Sequence, residues 1–494
     1  MATGSEGSRR DGRDAVVVGA GPNGLAAGVA LAGAGWSVTV HEAAEVIGGG
    51  TRTEALTLPG FLHDVCSAVH PMGAGSPFFG TLPLGDHGLE WIHPPVQLAH
   101  PFDDGTAAAL VSSTAETGAT LGPDGEAYRR LLDPFVERWG PLFEDALAPP
   151  LRLPGHPLLM ARLGWRGLRS ATGLASSVFE GERGRAFFLG LAAHTLLPLD
   201  RAPTAAFGLM LAIGGHGPGW PVARGGSRAI AEALAGVLRE RGGRIVTGSP
   251  VGNVDDLPAA TAVLLDLTPR QVLDVAGHRL PPRYRQRLRR YRYAPGVFKV
   301  DWALSEPIPW TAPECREAGT VHLGGGPDAI VRSAAAAWHG RSDDAPYVLL
   351  SQPSLIDPSR APPDRHTAWA YCHVPHGDTR DRTAAIERQV ERFAPGFGDV
   401  ILARATMDTA AFEAHDPNLV GGDIGGGVQD LAQLFFRPVP AVDPYATPVP
   451  GLFLCSASTP PGGGVHGMCG WNAARSVLRQ LDRRRGREWR SSPA

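Results

Sequence analysis

The sequence predicts an α/β fold in which a Rossmann-type nucleotide-binding domain is joined to a second domain of mixed β-sheet and α-helix. Three observations support this prediction. The chain has 494 residues, which is more than a single hydrophobic core usually accommodates. A strand, glycine turn, helix and strand open the chain, and a second glycine-rich loop followed by a helix lies near its end. Both domains are therefore expected to be built from discontinuous segments.

The opening pattern is DAVVVGAGPNGLAAGVALAGAGWSVTVHEA, which predicts a strand over 15–19, a helix over 22–33 and a strand over 36–42. This is the beginning of a βαβ unit. In such a unit, amide groups at the start of the helix face the phosphates of a bound dinucleotide. The alternative is a glycine-rich turn in a core βαβ unit that binds no ligand.

Each glycine of this turn has a physical role. Gly19 allows the tight turn, Gly21 lets the backbone approach a pyrophosphate, and Gly24 lets the helix lie close to the strand. Pro22 suits the first helical position, and Asn23 follows it in the same turn. The sequence therefore predicts that these five residues hold the cofactor.

An acidic residue and a second glycine turn follow. Glu42 ends the second strand, where its carboxylate is expected to accept hydrogen bonds from both hydroxyls of an adenosine ribose, which disfavours NADP. The stretch IGGGTRT over 47–53 then supplies another glycine turn. It contains Gly49 and Gly50, and Arg52 is able to meet phosphate charge.

Near the C-terminus, GLFLCSASTPPGGGVHGMCGWNAARSVLRQL predicts a strand over 452–455, a long Gly/Pro loop and a helix over 468–481. A helix that begins after such a loop directs the positive end of its dipole at whatever lies before it. In a flavoprotein this would be the pyrimidine edge of the flavin, which becomes negative on two-electron reduction. A simple closing helix of the sheet is the alternative.

Residues 14–64, 222–250 and 440–481 resemble the flavin-dependent amine oxidase and phytoene desaturase superfamily, in particular its phytoene desaturase-like branch. The segments 221–251 and 262–269 resemble the middle of that family's chain, where a helix and strands rejoin the cofactor domain. The resemblance implies FAD as the cofactor. It adds these expected FAD-binding residues: Val251, Ser458, Gly463, Gly464, Val465, His466, Gly467 and Met468.

The chain departs from the family pattern in two places. The family's double glycine is usually followed by arginine, whereas Gly50 stands there and Arg52 comes two residues later. In the C-terminal loop, phytoene desaturases tend to have His-Pro where this chain has Pro460-Pro461, and proline where it has His466. These differences bear on the phosphate contact and on the redox partner of the flavin.

Lys299 is the only lysine among the 46 lysine and arginine residues. Its stretch, GVFKVDWAL, alternates as a strand, with Lys299 and Asp301 on one face and an apolar core face opposite. Flavin amine oxidases carry a lysine in what looks like the corresponding strand, where it holds a water near flavin N5, although phytoene desaturases proper generally lack it. Arginine would be too broad there and effectively always charged. The resemblance thus predicts Lys299 as a catalytic residue, with an exposed ion pair to Asp301 as the alternative.

Two further residues are candidates for catalysis. Tyr371 lies on HTAWAYCHVP, over 366–375, where alternation places Trp369, Tyr371 and His373 on one face. That face is either an aromatic wall over a flavin or apolar substrate, or an ordinary aromatic core face. His466, inside the flavin loop, is able to act as acid, base or hydrogen-bond partner of the ring.

No metal site is predicted, because the five cysteines are scattered and His373 and His376, near Cys372, lack ligand spacing. The glycine-rich stretch 415–427 resembles a family segment that leads toward the active site. Asp423 within it is expected only to cap a turn.

Charge and hydropathy exclude other classes. The formal net charge of −3 gives no reason to expect nucleic acid as a partner. Scattered cysteines favour a cytoplasmic protein, and the apolar run after Arg9-Arg10 is better explained as the first strand than as part of an export signal. No apolar run reaches the length of a membrane span. In the superfamily, the region that corresponds to the apolar residues 131–220 sometimes touches membranes. Without an accompanying basic amphipathic helix, only a weak peripheral membrane contact is left open.

The expected FAD-binding domain comprises residues 1–70, 222–282 and 440–494, and the expected substrate domain comprises 71–221 and 283–439. The expected activity is dehydrogenation of a largely apolar organic substrate, with hydride transfer to flavin N5 and with oxygen or a quinone as electron acceptor. Two alternatives stay open. One is a flavin amine oxidase, and the other is a non-catalytic protein of the same fold that binds a prenylated or lipidic partner.

Overall fold

The computed structural model describes residues 13–491, so Arg9-Arg10 lies outside the described residues. The α/β fold class predicted from the sequence is confirmed, with one parallel and one mixed sheet. The strands are β1 (Asp14–Val18), β2 (Ser37–His41), β3 (Thr53–Glu54), β4 (His63–Asp64), β5 (Trp91–Ile92), β6 (Val96–Pro101), β7 (Ala107–Leu110), β8 (Val222–Ala223), β9 (Arg244–Val246), β10 (Ala262–Leu265), β11 (Gly296–Leu304), β12 (Ala318–Leu323), β13 (Val348–Ser351), β14 (His366–Val374), β15 (Ile401–Met407) and β16 (Leu452–Leu454).

Helices connect and cover the sheets. They are α1 (Pro22–Gly33), α2 (Pro71–Ala74), α3 (Thr114–Thr120), α4 (Gly125–Val136), α5 (Trp139–Ala146), α6 (Pro157–Gly167), α7 (Ala171–Val178), α8 (Glu182–Ala192), α9 (Thr204–His216), α10 (Arg228–Glu240), α11 (Pro269–Ala276), α12 (Pro282–Arg289), α13 (Pro313–Arg316), α14 (Pro327–Trp338), α15 (Thr383–Phe393), α16 (Thr409–His415), α17 (Leu431–Phe436) and α18 (Met468–Ser491). No helix in residues 13–491 combines the length and apolar character needed to cross a bilayer.

The parallel sheet has the strand order β16-β10-β1-β2-β9, and all of its pairings are parallel. Because parallel strands end at the same edge, the residues that follow them meet there. Gly19 follows β1, Glu42 follows β2, Asp266 follows β10 and Cys455 follows β16. This edge therefore collects the predicted glycine turn, the predicted acidic residue and the start of the C-terminal loop.

Small residues allow the first helix to pack closely. A side chain at Gly24 would place its Cβ 2.0 Å from the carbonyl oxygen of Gly19. On the other side of α1, a Cβ at Gly470 of α18 would lie 1.8 Å from the carbonyl oxygen of Asn23. The predicted helix over 22–33 is confirmed in its bounds, and the C-terminal helix continues ten residues beyond the predicted end at 481, to Ser491.

The mixed sheet has seven strands in the order β15-β11-β14-β13-β12-β6-β7, and only β12 and β6 pair in parallel. All nine residues of β11 are buried, so both faces of this strand are covered, although it is next to the edge strand β15. The strands of the mixed sheet come from residues 96–110 and 296–407. Those of the parallel sheet come from residues 14–41, 244–265 and 452–454. The exact domain boundaries stay a prediction.

Helix α6 corrects one sequence-based expectation. The expectation that no basic amphipathic helix accompanies the apolar region is wrong, because α6 and its flanks carry Arg152, Arg162, Arg166 and Arg169 and no acidic residue from 146 to 179. Several large apolar side chains of the same segment are exposed: Leu151, Leu153, Leu158, Trp165 and Leu168. The arginine spacing was visible in the sequence, but the exposure of the apolar side chains was not.

A buried carboxylate joins the two sheet systems. Asp64 accepts hydrogen bonds from the Thr53 hydroxyl at 2.7 Å and from the Ser227 amide at 2.8 Å. Its other oxygen pairs with the Arg360 guanidinium at 2.7 Å, and both side chains are fully buried. Burial raises the pKa of Asp64, but Arg360 and the hydrogen bonds outweigh it and hold that pKa below its usual value. The carboxylate is therefore charged, and it is bonded to three separate segments of the chain.

We expect Arg360→Met to lower the free energy of unfolding by about 3–5 kcal/mol, because it leaves Asp64 charged and unpaired in the interior. The measurement is urea denaturation followed by circular dichroism at neutral pH. Arg224→Met is the matched control, since Arg224 pairs with Glu90 at the surface, with exposed side-chain fractions of 50% and 57%. An equal decrease in the free energy of unfolding in the two variants would show that the buried pair contributes no more to stability than a surface pair.

Candidate functional site

A cavity of about 1180 Å³ lies at the carboxyl edge of the parallel sheet, and the mixed sheet and helices α6 and α9 complete its lining. The predicted site residues on this lining are Gly19, Gly21, Pro22, Asn23, Glu42, Gly49, Gly50, Arg52, Val251, Tyr371, Ser458, Gly463, Gly464, Val465 and His466. The predicted site residues that are absent from it are Gly24, Lys299, Gly467 and Met468. The two glycine turns and the C-terminal loop therefore surround one space.

The first glycine turn leaves backbone donors free at the start of α1. The Gly19 amide donates to the His41 carbonyl at 2.7 Å, which closes the turn onto β2. Within the described residues, the amides of Gly21 and Asn23 have no hydrogen-bond acceptor. The Asn23 side-chain oxygen is also buried without a partner. The two free amides are available to the phosphates of a dinucleotide, whereas the Asn23 oxygen can only accept a hydrogen bond.

Glu42 is held by the backbone around it. Its Oε2 accepts from the Ala20 amide at 2.7 Å and its Oε1 from the Ala44 amide at 3.0 Å. Arg52 lies 3.4 Å from Oε1 and donates to the His415 carbonyl at 2.9 Å. The Nε atom of Arg52 is buried without a partner, so part of the guanidinium is unsatisfied. Glu42 is thus oriented toward the cavity, as its predicted ribose contact requires.

The second glycine turn contacts the first. A Cβ built on Gly49 would lie 3.3 Å from the Cα of Gly21 and 3.3 Å from the Asp416 carboxylate. Gly49 has a φ of 51° and Gly48 a φ of 120°, which L side chains rarely adopt. Both turns therefore present bare backbone to the same point of the cavity.

The C-terminal loop supplies the other side of this end. A Cβ on Gly463 would lie 2.6 Å from the Gly425 carbonyl oxygen, so this loop packs directly on the 415–427 segment. Asp423 holds that segment by accepting hydrogen bonds from the amides of Ala294, Gly425 and Gly427. It caps the turn, as expected. Gly467, a predicted cofactor residue, instead packs against Phe79.

His466 is neutral and partly unsatisfied. Burial lowers its pKa to about 4. The Met468 amide donates to its Nδ1 at 3.0 Å, so the proton of the ring lies on Nε2. The backbone of Gly463 and Gly462 lies near the ring and opposes the lowering of the pKa, but Nε2 makes no hydrogen bond of good geometry. Of the three roles predicted for His466, the structure favours hydrogen-bond donation from Nε2.

Trp369 and Tyr371 form an aromatic wall on β14. Their rings are stacked with centroids 5.9 Å apart and an interplanar angle of 10°, and both residues line the cavity. His373, further along the same face, does not line the cavity, and burial lowers its pKa to about 4. The alternating pattern thus identified the face of β14 that meets the cavity, and two residues of that face, Trp369 and Tyr371, line it.

Lys299 lies behind this wall. Its ammonium pairs with both carboxylate oxygens of Asp301, with exposed side-chain fractions of 1% and 0%, so the alternative of an exposed pair is wrong. The ammonium is 5.2 Å from the centroid of Trp369, and His63 is 3.4 Å from Asp301. Lys299 does not line the cavity. Its predicted contact with a water at flavin N5 stays a prediction.

Three titratable side chains are among the lining residues that sequence reasoning missed. Asp266 follows β10 at the carboxyl edge, and that position alone was a usable signal. Asp416 lies beside the second glycine turn, where burial raises its pKa. His194 extends from the end of α8, and its Nε2 lies 2.9 Å from that of His322. Asp416 lies within the 415–427 stretch that was expected to lead toward the active site, but no pattern in the sequence indicates that His194 reaches this cavity.

These groups fit FAD. Free amides at the start of α1, an unsatisfied arginine nitrogen and an oriented carboxylate suit the phosphates and ribose of a dinucleotide. The unpartnered Nε2 of His466 suits the polar edge of a flavin ring. Among the side chains that the structure describes, no cluster of three or more His, Cys, Asp or Glu residues is placed to hold a metal ion.

Comparison with known proteins agrees with this interpretation. The sequence model of the family described as "Flavin containing amine oxidoreductase" matches residues 23–478. A Mus musculus protein named "Pyridine nucleotide-disulfide oxidoreductase domain-containing protein 2" is 26% identical over 558 residues, covering 97% of this chain and 95% of the mouse protein.

Two solved structures share the fold. An oxidoreductase from Methanosarcina mazei has a TM-score of 0.64 at 17% identity, covering 94% of this chain and 100% of that chain. A triple mutant of putrescine oxidase has a TM-score of 0.61 at 19% identity, covering 95% of this chain and 99% of that chain. At these identities the two structures support the fold alone.

We expect Gly21→Ala to weaken FAD binding by about 10- to 100-fold, because the methyl group blocks the backbone approach that a charge-assisted hydrogen bond to phosphate needs. The backbone dihedral angles suit alanine here, since Gly21 has φ −70° and ψ 173°. The added Cβ would lie 3.1 Å from Oδ2 of Asp266, so a shift of that carboxyl group also contributes to the loss. The measurement is the FAD dissociation constant from flavin fluorescence. Gly80→Ala is the control, because its Cβ would meet nothing within 4 Å. Unchanged FAD affinity in Gly21→Ala would show that the phosphates do not bind at this turn.

Proposed function

Because the chain belongs to the family of flavin-containing amine oxidoreductases, it is an FAD-dependent oxidoreductase, and we propose that it dehydrogenates a largely apolar, uncharged organic substrate. One observation carries the proposal. Among the described residues, the cavity lining from the mixed sheet and from α6 and α9 contains no acidic side chain. The alternative of a non-catalytic binding protein is set aside by the family assignment.

The substrate wall is apolar with a few neutral polar groups. It consists of Met160, Leu163, Phe207, Met210, Leu211, Thr320, Leu349, Ser351, Trp369 and Tyr371, among others. His194, beside it, is neutral because burial, with a smaller contribution from His373, lowers its pKa to about 3. Such a wall suits a hydrocarbon body that carries an uncharged polar group.

The acidic residues of the cavity lie elsewhere. Glu42, Asp266 and Asp416 surround the glycine turns. Asp145 already accepts hydrogen bonds from the amides of Gly155 and His156, each at 2.7 Å, and pairs with Arg152. No carboxylate is therefore free to neutralise a substrate ammonium on the apolar wall, where an unpaired charge is costly.

When bound, FAD would supply the acceptor for a hydride from a substrate C–H bond, and a C=C or C=N bond would form as the adjacent carbon or nitrogen loses a proton to solvent. The chain would hold FAD through the amides of Gly21 and Asn23, through Arg52, and through the loop around Gly464. The wall of Trp369 and Tyr371 would orient the substrate, and the apolar lining would exclude water. We propose oxygen or a quinone as the electron acceptor.

An amine oxidase is the second candidate. The fold is shared with putrescine oxidase, whose name states an amine substrate, and the ammonium of Lys299 lies close to Trp369. The aromatic wall does not favour a cationic amine, because the two rings lie 5.9 Å apart and nearly parallel, which leaves no space for a cation between them. Substrate preference decides between the two candidates.

We expect anaerobic reduction of the flavin by neutral polyenes or cyclic alkenes to exceed reduction by putrescine by about 100-fold, because a buried, unpaired ammonium costs several kcal/mol. Stopped-flow absorbance of the flavin band measures both rates. Met210→Glu should raise the amine rate by supplying a carboxylate on the wall, whereas Met210→Gln should not. Faster reduction of the wild-type protein by amines would establish the second candidate instead.

We also propose that the surface of α6 makes a peripheral contact with an anionic membrane. Leu158 and Trp165 are 86% and 82% exposed, and the neighbouring arginines complement anionic headgroups. The other face of α6 lines the cavity through Met160 and Leu163. An apolar substrate dissolved in the bilayer would then be delivered next to the cavity.

We expect the double variant Leu158→Ser, Trp165→Ser to bind vesicles containing anionic lipid at least about tenfold more weakly, because two apolar side chains no longer enter the interface. Vesicle sedimentation measures the bound fraction. Leu402→Ser is the control, since Leu402 is exposed at 47% on β15, away from this helix. Binding that is absent in the wild type, or equal for zwitterionic vesicles, would contradict the proposed contact.

A further inference from the structure

Asp266 lies directly beneath the first glycine turn. A Cβ built on Gly21 would lie 3.1 Å from its Oδ2, and a Cβ on Gly24 would lie 3.0 Å from the same atom. The residue lines the cavity although it is only 7% exposed. Its carboxyl group therefore faces the point at which both glycine turns meet.

The turn around Asp266 is poor in hydrogen-bond donors. The Ala20 amide is used by Glu42 at 2.7 Å, and the Gly24 amide by Oδ2 of Asp266 at 2.8 Å. Pro22 has no amide hydrogen. Only the amides of Gly21 and Asn23 remain for a pyrophosphate, which usually receives more donors at such a helix start.

The charges around Asp266 are mostly acidic. Glu42, from the end of β2, and Asp416, after α16, both act on it electrostatically. The thiols of Cys455 and Cys469 lie on its other side. The nearest strong cation of the site, Arg52, pairs with Glu42. No ion pair in the described residues includes Asp266.

We propose that Asp266 binds FAD as a neutral carboxylic acid, with Oδ2 accepting from the Gly24 amide and the Oδ1 hydroxyl donating to a phosphate oxygen. This acid supplies the donor that Pro22 lacks and that Gly24 has already used. A neutral Asp266 also avoids placing a further negative charge beside the pyrophosphate and Glu42. Asp266 is then a cofactor-binding residue that senses pH.

The pH range follows from linkage. Burial, followed by the charges of Asp416 and Glu42 and opposed by the Gly24 hydrogen bond, raises the pKa of Asp266 to about 8. The proton is therefore present at neutral pH and is lost as pH rises through that value. If the bound form keeps the proton, FAD affinity is constant below the pKa and falls by up to tenfold per pH unit above it.

The test is FAD release from the full-length holoprotein, followed by flavin fluorescence on dilution at several pH values. We expect the dissociation constant of the wild type to rise about tenfold between pH 7 and pH 9. In Asp266→Asn, whose side chain donates without titrating, the constant should be unchanged across this range. Asp255→Asn, an exposed carboxylate elsewhere in the chain, should keep the wild-type pH dependence.

A purely structural role gives a different result. If Asp266 only caps α1, Asp266→Asn would shift the FAD dissociation constant equally at every pH and would keep the tenfold rise, which would overturn the proposal. Thermal unfolding of Asp266→Asn and of a second variant, Asp266→Ser, identifies any loss of folding. Asp266→Ser also removes the titrating group, so it too should lose the pH dependence. No substrate is needed, so the result is independent of the proposed dehydrogenation.

ADP provides a second measurement. It carries the pyrophosphate without the flavin, so its dissociation constant should show the same rise between pH 7 and pH 9, whereas adenosine should bind without pH dependence. A rise for adenosine would place the titrating group at the ribose end instead and would overturn the assignment to the phosphate.

Discussion

The structure depends on one buried carboxylate. Asp64 is held by Thr53, by the start of α10 at Ser227 and by Arg360, which precedes β14 of the mixed sheet. Because each of these groups is buried, separating them would leave a charge without a partner in the interior. The β3–β4 hairpin, the start of α10 and the segment before β14 are therefore held together around one buried charge.

The cavity divides into two electrostatic environments. At the carboxyl edge of the parallel sheet, free amides and Arg52 lie beside the carboxyl groups of Glu42, Asp266 and Asp416. The wall on the mixed sheet carries aromatic and aliphatic side chains without an acid. This division suits a dinucleotide at one end, where charged phosphates need donors, and an uncharged substrate at the other, where water must be excluded.

Lys299, the lone lysine, packs against Trp369 from behind the aromatic wall. Its ammonium fits between the Asp301 carboxylate and the ring of Trp369, both on buried strands, where the broader guanidinium of arginine would need more space. A buried pair of this kind contributes little net stability, yet loss of either partner leaves an uncompensated charge. The absence of arginine at this position is therefore explained by packing alone, whether or not Lys299 also takes part in catalysis.

Much of the fold and part of the site were determined by local sequence. The bounds of α1, the edge position of Glu42 and the two glycine turns follow from residues close together in the chain, because a turn and a helix start need only local partners. The alternation around Tyr371 likewise identified the face that meets the cavity. The C-terminal loop was located by its own glycine and proline pattern, whereas most of its individual cofactor residues were assigned by resemblance to a family.

The tertiary structure decided what depends on distant neighbours. Alternation along β11 could not show whether Lys299 is exposed, because both faces of the strand are covered. Nor could local sequence show that Asp266 takes the Gly24 amide, since the two residues are 242 positions apart. Which amides stay free, which carboxyl groups are neutral and which apolar side chains of α6 remain in solvent are all set by packing between segments, and that packing is not encoded in any short stretch.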